Sequence, residues 1–222
     1  MSKTNKEIIQ GFFDQVINLK RMDLWDEYIS KDYVNHSPPY IGMGLSTRNT
    51  GDKMFVSSIA PGGPAEGKLL VGDQIIRVED DLNQWDTFEQ LKTAVLGMGK
   101  AGTTIKVRVL RGEDSFDYEL TRGLIEGFDI SYKEVKEDYR TFLTDQYPDV
   151  KVKIEKMIAE GEFVACYSVS QGTNSDFKRE AIWSDCSFYR LSDGKIVEEW
   201  YVSDFVGALK QLGYDIKAPE AG

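Results

Sequence analysis

One histidine, His36, is all the imidazole this 222-residue chain has. That excludes metal centres built from several histidines and the HExxH zinc motif. A Ser-His-Asp triad would have to borrow His36, and no nucleophile-elbow motif accompanies it. Cysteine is almost as scarce. Cys166 and Cys186 are too few for a disulfide framework in a chain of this length. A zinc site joining them to His36 would lack a fourth ligand and a CxxC spacing, so no metal is expected. No stretch reaches the ~18 apolar residues of a membrane span. The opening Met-Ser-Lys-Thr-Asn-Lys-Glu has no apolar signal-peptide core. A cytoplasmic protein with reduced thiols is the expectation. Basic residues are outnumbered, 27 against 37, for a net charge of −10. Such a surface repels phosphate backbones and anionic headgroups, which argues against nucleic-acid and membrane binding. No phosphate loop or dinucleotide fingerprint is present, and no organic cofactor is expected.

What is present is enough apolar material, 41% of residues, to exclude general disorder. Glycine divides the chain: residues 40–123 hold 12 of the 20 glycines. This middle reads as β-rich, with runs at Met54-Phe55-Val56, Gln74–Val78, Thr104–Leu110 and an alternating Phe116, Tyr118, Leu120. Thr87 predicts the cap of a helix carrying Phe88, Leu91, Ala94 and Val95 and ending at Gly97. The flanks read differently. Thr4-x-x-Glu7 is a capping box leading into Ile9, Phe12, Phe13, Val16 and Leu19 at helical spacing. Asp23 predicts a second short helix through Trp25, Tyr28 and Ile29, closed before Pro38-Pro39. After the insert, Ser131-x-x-Glu134 caps another helix carrying Val135, Tyr139 and Phe142. Strands are expected at about 150–158, 162–170, 181–191 and 195–203, the last two joined by Asp193-Gly194. A final helix spans Phe205 to Leu212, stopped by Gly213. The pattern predicts an α+β domain whose curved antiparallel sheet wraps the helices, interrupted by a separate module. The expected boundaries are 1–38 and 124–222 for the outer domain and 39–123 for the insert.

Two resemblances sharpen this. Asp32-Tyr33-Val34-Asn35-His36-Ser37-Pro38, Tyr147-Pro148-Asp149-Val150, Ile158-Ala159-Glu160-Gly161-Glu162, Phe188–Trp200 and Asp204…Gln211-Leu212-Gly213 stand in the order found in SnoaL-like polyketide cyclases. The outer residues therefore resemble that family, within the nuclear-transport-factor-2-like superfamily, which implies cone-shaped helices wrapped by the sheet. The middle, through Tyr40–Ser46, Ala60–Glu66, Leu70–Val78 and Thr87–Leu91, resembles a PDZ domain of the kind found in bacterial processing proteases, implying a β-rich, partly open barrel. No protease domain has room here.

The chemistry expected of the outer domain centres on carboxylates. A strict period of two from Ile196 places Ile196, Glu198, Trp200, Val202 and Asp204 on one face. A carboxylate desolvated at the end of that face suits general acid/base work. The resemblance implies that role for Asp204, with His36 orienting a substrate carbonyl. Asp204 also stands where helix capping is expected, and His36 where a turn histidine would bond to backbone. Trp25, Tyr167, Trp183 and Trp200 are candidate pocket walls or plain core. Where relatives carry a histidine after Gly172-Thr173, this chain has Asn174.

In the insert, Ile41-Gly42-Met43-Gly44-Leu45 resembles a carboxylate-binding loop and the strand that receives a peptide. Phe88, at the start of the groove helix, predicts a hydrophobic peptide residue two before the end, and Lys92 an acidic one. The expected function is a small-molecule-binding domain for an apolar or polyketide-like ligand, acting as a cofactor-independent cyclase, isomerase or lyase. A PDZ module for C-terminal peptides accompanies it, and the chain is expected to form a homodimer. The alternative is a non-catalytic adaptor whose outer domain dimerises while the PDZ module recruits a partner.

Overall fold

The computed structural model describes residues 3–80, 83–92 and 100–214. The strands in chain order are β1 Ile29–Ser37, β2 Tyr40–Gly42, β3 Leu45–Thr50, β4 Lys53–Ile59, β5 Gln74–Glu79, β6 Gln84–Trp85, β7 Thr104–Arg111, β8 Asp114–Thr121, β9 Gly123–Ile125, β10 Phe128–Ser131, β11 Lys151–Glu160, β12 Phe163–Asn174, β13 Arg179–Ser192 and β14 Lys195–Ser203. The helices are α1 Asn5–Gly11, α2 Trp25–Tyr28, α3 Phe88–Leu91, α4 Tyr132–Thr141 and α5 Phe205–Leu212. Two compact units result, one of residues 1–37 and 129–222, the other of residues 38–128.

The outer unit carries a six-stranded sheet in the order β10-β1-β14-β13-β12-β11. Helix α1 starts at the Thr4–Glu7 capping box: Glu7 accepts the Thr4 N–H at 2.7 Å and Thr4 Oγ1 accepts the Glu7 N–H at 3.3 Å. It then widens into a π-helix over Phe12–Asn18. The wider turn shifts the phase, so Phe12, Phe13, Val16 and Ile17 are buried and Leu19, expected on that face, is exposed. Ser131 Oγ and N–H both donate to the Glu134 carboxylate at the start of α4. These helices pack on the inner face of the sheet. Phe12 meets Phe13, Trp25 and Tyr139 edge-on at 5.8–6.0 Å between centroids, geometry that suits the ring quadrupoles.

Two sequence expectations change here. Asp23 caps nothing and pairs with Arg21. The segment after Tyr28 is β1, a nine-residue strand running parallel to β14, so the sheet is mixed rather than wholly antiparallel. Between β13 and β14, Asp193 and Gly194 both take positive φ, 50° and 75°, the primed turn that matches strand twist.

The inserted unit has strand order β3-β4-β5-β7-β8, with β6 on β5 and a separate β2–β9 pair. Its core is Met43, Met54, Val56, Leu69, Ile75, Val78, Leu91, Ile105, Val107, Val109 and Leu120. Thr87 caps α3 as expected, through Gln90; Ala94, Val95 and Gly97 lie outside the described residues. The Asp73 side chain, 1% exposed, is gripped by Arg111 Nε and Nη2, both at 2.8 Å, and by the Leu70 N–H at 2.9 Å. Arg111 beside it holds its carboxyl below the ordinary range. A depressed carboxylate stabilises the fold above its unfolded pKa, about 3.9, and that contribution fades as pH falls through the lower folded value. Asp73→Asn is expected to cost about 1–3 kcal/mol at neutral pH. The difference in urea midpoint from the parent should shrink below about pH 4. A gap that stays constant across that range would contradict this account.

Candidate functional site

The inner face of the outer sheet is set by three alternating strands. In β12 the even residues Val164, Cys166, Ser168 and Ser170 are buried. In β13 the odd residues Ala181, Ser187, Tyr189 and Leu191 are buried, with Trp183 and Asp185 half-buried in the same phase. Strand β14 does not keep one phase. Arg190 pairs with Glu198 but Leu191 with Ile196, so Val197 is an extra residue, a β-bulge. Ile196 and Glu199 both point inward as a result, followed by Tyr201 and Ser203. The expectation that Ile196, Glu198, Trp200, Val202 and Asp204 share one face is overturned by this bulge. Glu198, Trp200 and Val202 face outward.

The candidates divide accordingly. His36 pairs with Trp200 across β1–β14 and stacks on its ring at 4.4 Å. Its Nδ1 is 2.8 Å from Asp129 Oδ1 and its Nε2 3.8 Å from Glu198 Oε2. It therefore belongs to the outer face. Tyr167, paired with Cys186, is also outside and exposed. Trp25 and Trp183 are inside: Trp25 is fully buried against Phe12 and Tyr139, and Trp183 packs on Phe142 and Tyr147. The four expected pocket aromatics thus split two and two. Asp204 is exposed and caps α5, its Oδ1 accepting the Gly207 N–H at 2.9 Å. Cys166 faces inward, with burial pushing its thiol up to about 12, while Cys186 faces outward. The two lie on opposite faces of neighbouring strands and are not bonded. Among the described residues no His, Cys, Asp and Glu cluster could hold a metal, and no helix is long and apolar enough to cross a membrane.

The inner polar groups are ones the sequence reading missed. Glu199 is 4% exposed. Its Oε2 accepts the Tyr33 hydroxyl at 2.5 Å and lies 3.4 Å from Asn35 Nδ2; Tyr189 also donates to it. Burial pushes its carboxyl up, and these donors oppose that shift. Asp185, opposite Ser203 on β14, accepts Ser170 Oγ at 3.2 Å and bonds from Ser203 and Trp183. Burial pushes it up as well. Asp138, exposed on α4, has its carboxyl raised by partial desolvation and by Glu134 and Glu137. Tyr201 has its phenol raised by burial and by Glu199, Asp185 and Asp138, yet 47% of its surface reaches solvent. The alternation of β13 carried across the hairpin points to Glu198, and only the bulge at Val197 puts Glu199 inside in its place.

In the inserted unit, β3 is an edge strand of its sheet. The Met43 carbonyl accepts the Ala65 N–H at 3.0 Å and the Gly44 carbonyl the Ala60 N–H at 2.8 Å. In a trans peptide the C=O and the following N–H point oppositely. These bonds therefore turn the Gly44 and Leu45 amides the other way, making adjacent donors suited to a carboxylate. Gly42 and Met43 are buried, Ile41 pairs with Leu124 on β9, and Leu45 is half-buried. Lys92 pairs with Glu89 at 2.8 Å and lies 5.3 Å from the centre of the Phe88 ring. Gly44 has φ +69°, and an added Cβ would meet Gly63 Cα at 2.9 Å. Gly44→Ala is expected to cost about 2–4 kcal/mol from left-handed strain and a backbone clash. A thermal midpoint within a degree or two of the parent would refute it.

A sheet packed on helices with inward carboxylates, and a separate β-rich unit with an exposed edge strand, are the two units the comparisons with known proteins must account for. The chain carries a SnoaL-like polyketide cyclase domain, matched over residues 122–212, and a PDZ domain, matched over residues 40–121. Among solved structures it is similar to wild-type IdmH, a candidate polyketide cyclase from Streptomyces antibioticus. The two are 17% identical over 95% of this chain and 99% of that one, with a TM-score of 0.50. The 96–104 loop truncation variant of IdmH is 18% identical over 95% of this chain and 100% of that one, with a TM-score of 0.51. At such identities the likeness is one of fold. No curated protein matches the chain.

Proposed function

We propose that the outer domain is a cofactor-independent acid/base enzyme of the cyclase, isomerase or lyase type, and that Asp185 is its proton-transfer group. The observation that carries this reading is a raised, inward-facing carboxylate that solvent still reaches, bonded to neutral donors alone. Burial brings its proton affinity toward working pH, as general acid/base catalysis needs. Asp204, to which the family resemblance gives this role, spends its Oδ1 on a helix cap. Glu199, tied to three donors in the interior, positions the floor and stays out of the reaction. The test uses a substrate that needs only a base. 5-Nitrobenzisoxazole loses its C3 proton to the base, the N–O bond breaks, and 2-cyano-4-nitrophenolate forms with a visible absorbance. Saturable turnover well above that of free acetate at matched pH supports the reading; a rate equal to acetate removes it.

The PDZ unit is proposed to bind C-terminal peptides by strand addition to β3, with the terminal carboxylate at the Gly44 and Leu45 amides. Phe88 favours a hydrophobic residue two before the end. Lys92, held between Glu89 and the Phe88 ring, shapes that position rather than reaching for an acid. Loss of binding on amidating the peptide terminus is the expected signature in a C-terminal peptide screen.

The outer face supports a homodimer as the working form. Tyr167, Ile182, Phe188, Trp200 and Val202 are exposed on adjacent strands of that face, a contiguous apolar patch of the kind that marks association. A two-fold partner would cover it with the same surface. Sedimentation of a monomer unchanged by Phe188→Glu would count against this.

A further inference from the structure

Strand β11 is an edge of the outer sheet, paired with β12 on one side only. Helix α1 and the π-helix after it are clasped to that edge at two points. At one end the Asn5 side chain donates to the Gly161 carbonyl at 3.0 Å. At the other the Asn18 amide accepts the Val152 N–H and donates to the Val152 carbonyl, both at 2.8 Å. Asn18 thus fills the place of a neighbouring strand at one residue. Between the clasps lies a groove of about 360 Å³, lined in part by Lys6 from α1 and by Ile154, Lys156 and Met157 from β11.

The register shows which way the backbone points there. Val152 spends its N–H and carbonyl on Asn18, so its pair with Ser170 is one that makes no ladder bonds. Two residues on, Ile154 stands opposite Ser168 with the same orientation. Lys156 pairs next, with Tyr167, so Glu155 is an extra residue, a bulge. Alternation after the bulge gives Met157, opposite Cys166, the orientation of Ile154. Both residues therefore turn an N–H and a carbonyl toward the groove. Among the described residues no side chain does for them what Asn18 does for Val152.

The charges of the groove are unbalanced. Glu7 accepts the Thr4 N–H and hydroxyl at the start of α1, and Glu155 pairs with Lys153 at 2.7 Å. Among the described residues neither Lys6 nor Lys156 has a carboxylate partner. Lysines on a strand edge deter neutral or basic strands. A second copy of β11 is one of these, since Lys151, Lys153 and Lys156 would meet their own kind. An acidic strand is not deterred.

We propose that this groove docks an extended acidic peptide of a partner protein, which adds to β11 as a seventh strand of the six-stranded sheet. Its backbone pairs with Ile154 and Met157 as the Asn18 amide pairs with Val152, and its carboxylates lie against Lys6 and Lys156. Main-chain bonds supply the affinity and the flanking side chains the specificity. The bulge breaks the even spacing of the edge, which keeps the added strand short and lets charge decide the partner. Unlike strand addition at β3, this mode needs no free peptide C-terminus.

The test titrates two capped peptides, acetyl-Thr-Glu-Val-Glu-Thr-amide and acetyl-Thr-Lys-Val-Lys-Thr-amide, into the isotope-labelled full chain and reads backbone amide shifts by NMR. Neither offers a terminal carboxylate to the PDZ unit. The acidic peptide is expected to shift the Ile154 and Met157 amides and to bind at least about tenfold tighter than the basic one, attraction for one set against repulsion for the other. The acidic peptide N-methylated throughout should bind at least about tenfold more weakly than its parent, having lost its main-chain donors. Lys6→Gln/Lys156→Gln, at two exposed positions, should bring the two charged peptides to similar affinity. Equal affinity for both in the unsubstituted chain overturns the charge recognition. An N-methylated peptide that binds as tightly as its parent overturns strand addition. Shifts confined to residues 38–128, or none at about millimolar peptide, overturn the site itself.

Discussion

Asp185→Asn is expected to lower benzisoxazole turnover by about 10²–10⁴-fold, the range removed with a positioned general base. The substitution keeps the shape and an oxygen to accept Ser170 Oγ, so circular dichroism and thermal midpoint should barely change. Only the proton acceptor goes. The parent's rate should rise with pH through the raised pKa of Asp185, because the ionised form is the base. Asp204→Asn is the control. Asparagine caps helices as well as aspartate, so α5 should persist and turnover should stay within about a factor of two if Asp185 is the base. The reverse pattern, with Asp204→Asn inactive and Asp185→Asn active, would return the role to the residue the family resemblance suggests.

Glu199→Ala is expected to destabilise the outer domain by about 3–5 kcal/mol, the cost of leaving buried partners unanswered. Tyr33 and Asn35 would lose their acceptor at once, as would Tyr189. Against a total stability of about 5–15 kcal/mol, that is enough to unfold a marginal domain. Glu199→Gln separates charge from shape. Its amide oxygen still accepts Tyr33. The folded pKa of Glu199 lies above its unfolded value, so the native state holds the extra proton. Stability from this group is full at low pH and lost as pH rises from about 4.3 through the higher folded value. The deficit of Glu199→Gln relative to the parent should therefore narrow over that rise. Urea midpoints at low and neutral pH measure it. A deficit that widens would mean Glu199 is held ionised.

Much of the architecture was legible because it depends on local chemistry. Thr4-x-x-Glu7 and Ser131-x-x-Glu134 start helices since backbone N–H groups need acceptors there, and Asp193-Gly194 turns the chain since few residues tolerate positive φ. The glycine-rich middle marked a separate unit for similar reasons. The failures have a different origin. Strand β1 was hidden because Asp32 through Pro39 reads as a stop, while its pairing with β14 comes from residues far away in sequence. The inner site was misread for one cause. Counting across a two-residue hairpin sets Arg190 opposite Val197, but the bulge sets it opposite Glu198. Every side chain after it changes sides. Asp204 and Trp200 were therefore sought inside, and Glu199 was passed over.

Val197 therefore acts on this sheet as a frameshift acts on a message. Deleting it would keep Arg190 opposite Glu198 and leave every later side chain on its present face. A strand that kept Val197 but paired without the bulge would instead turn Trp200 and Val202 inward and Glu199 and Tyr201 outward. The accommodation of one residue thus decides which side chains of β14 meet the helices and which face away. Loss of the bulge with its residue retained, rather than any substitution, is the change that would exchange the two faces of this strand.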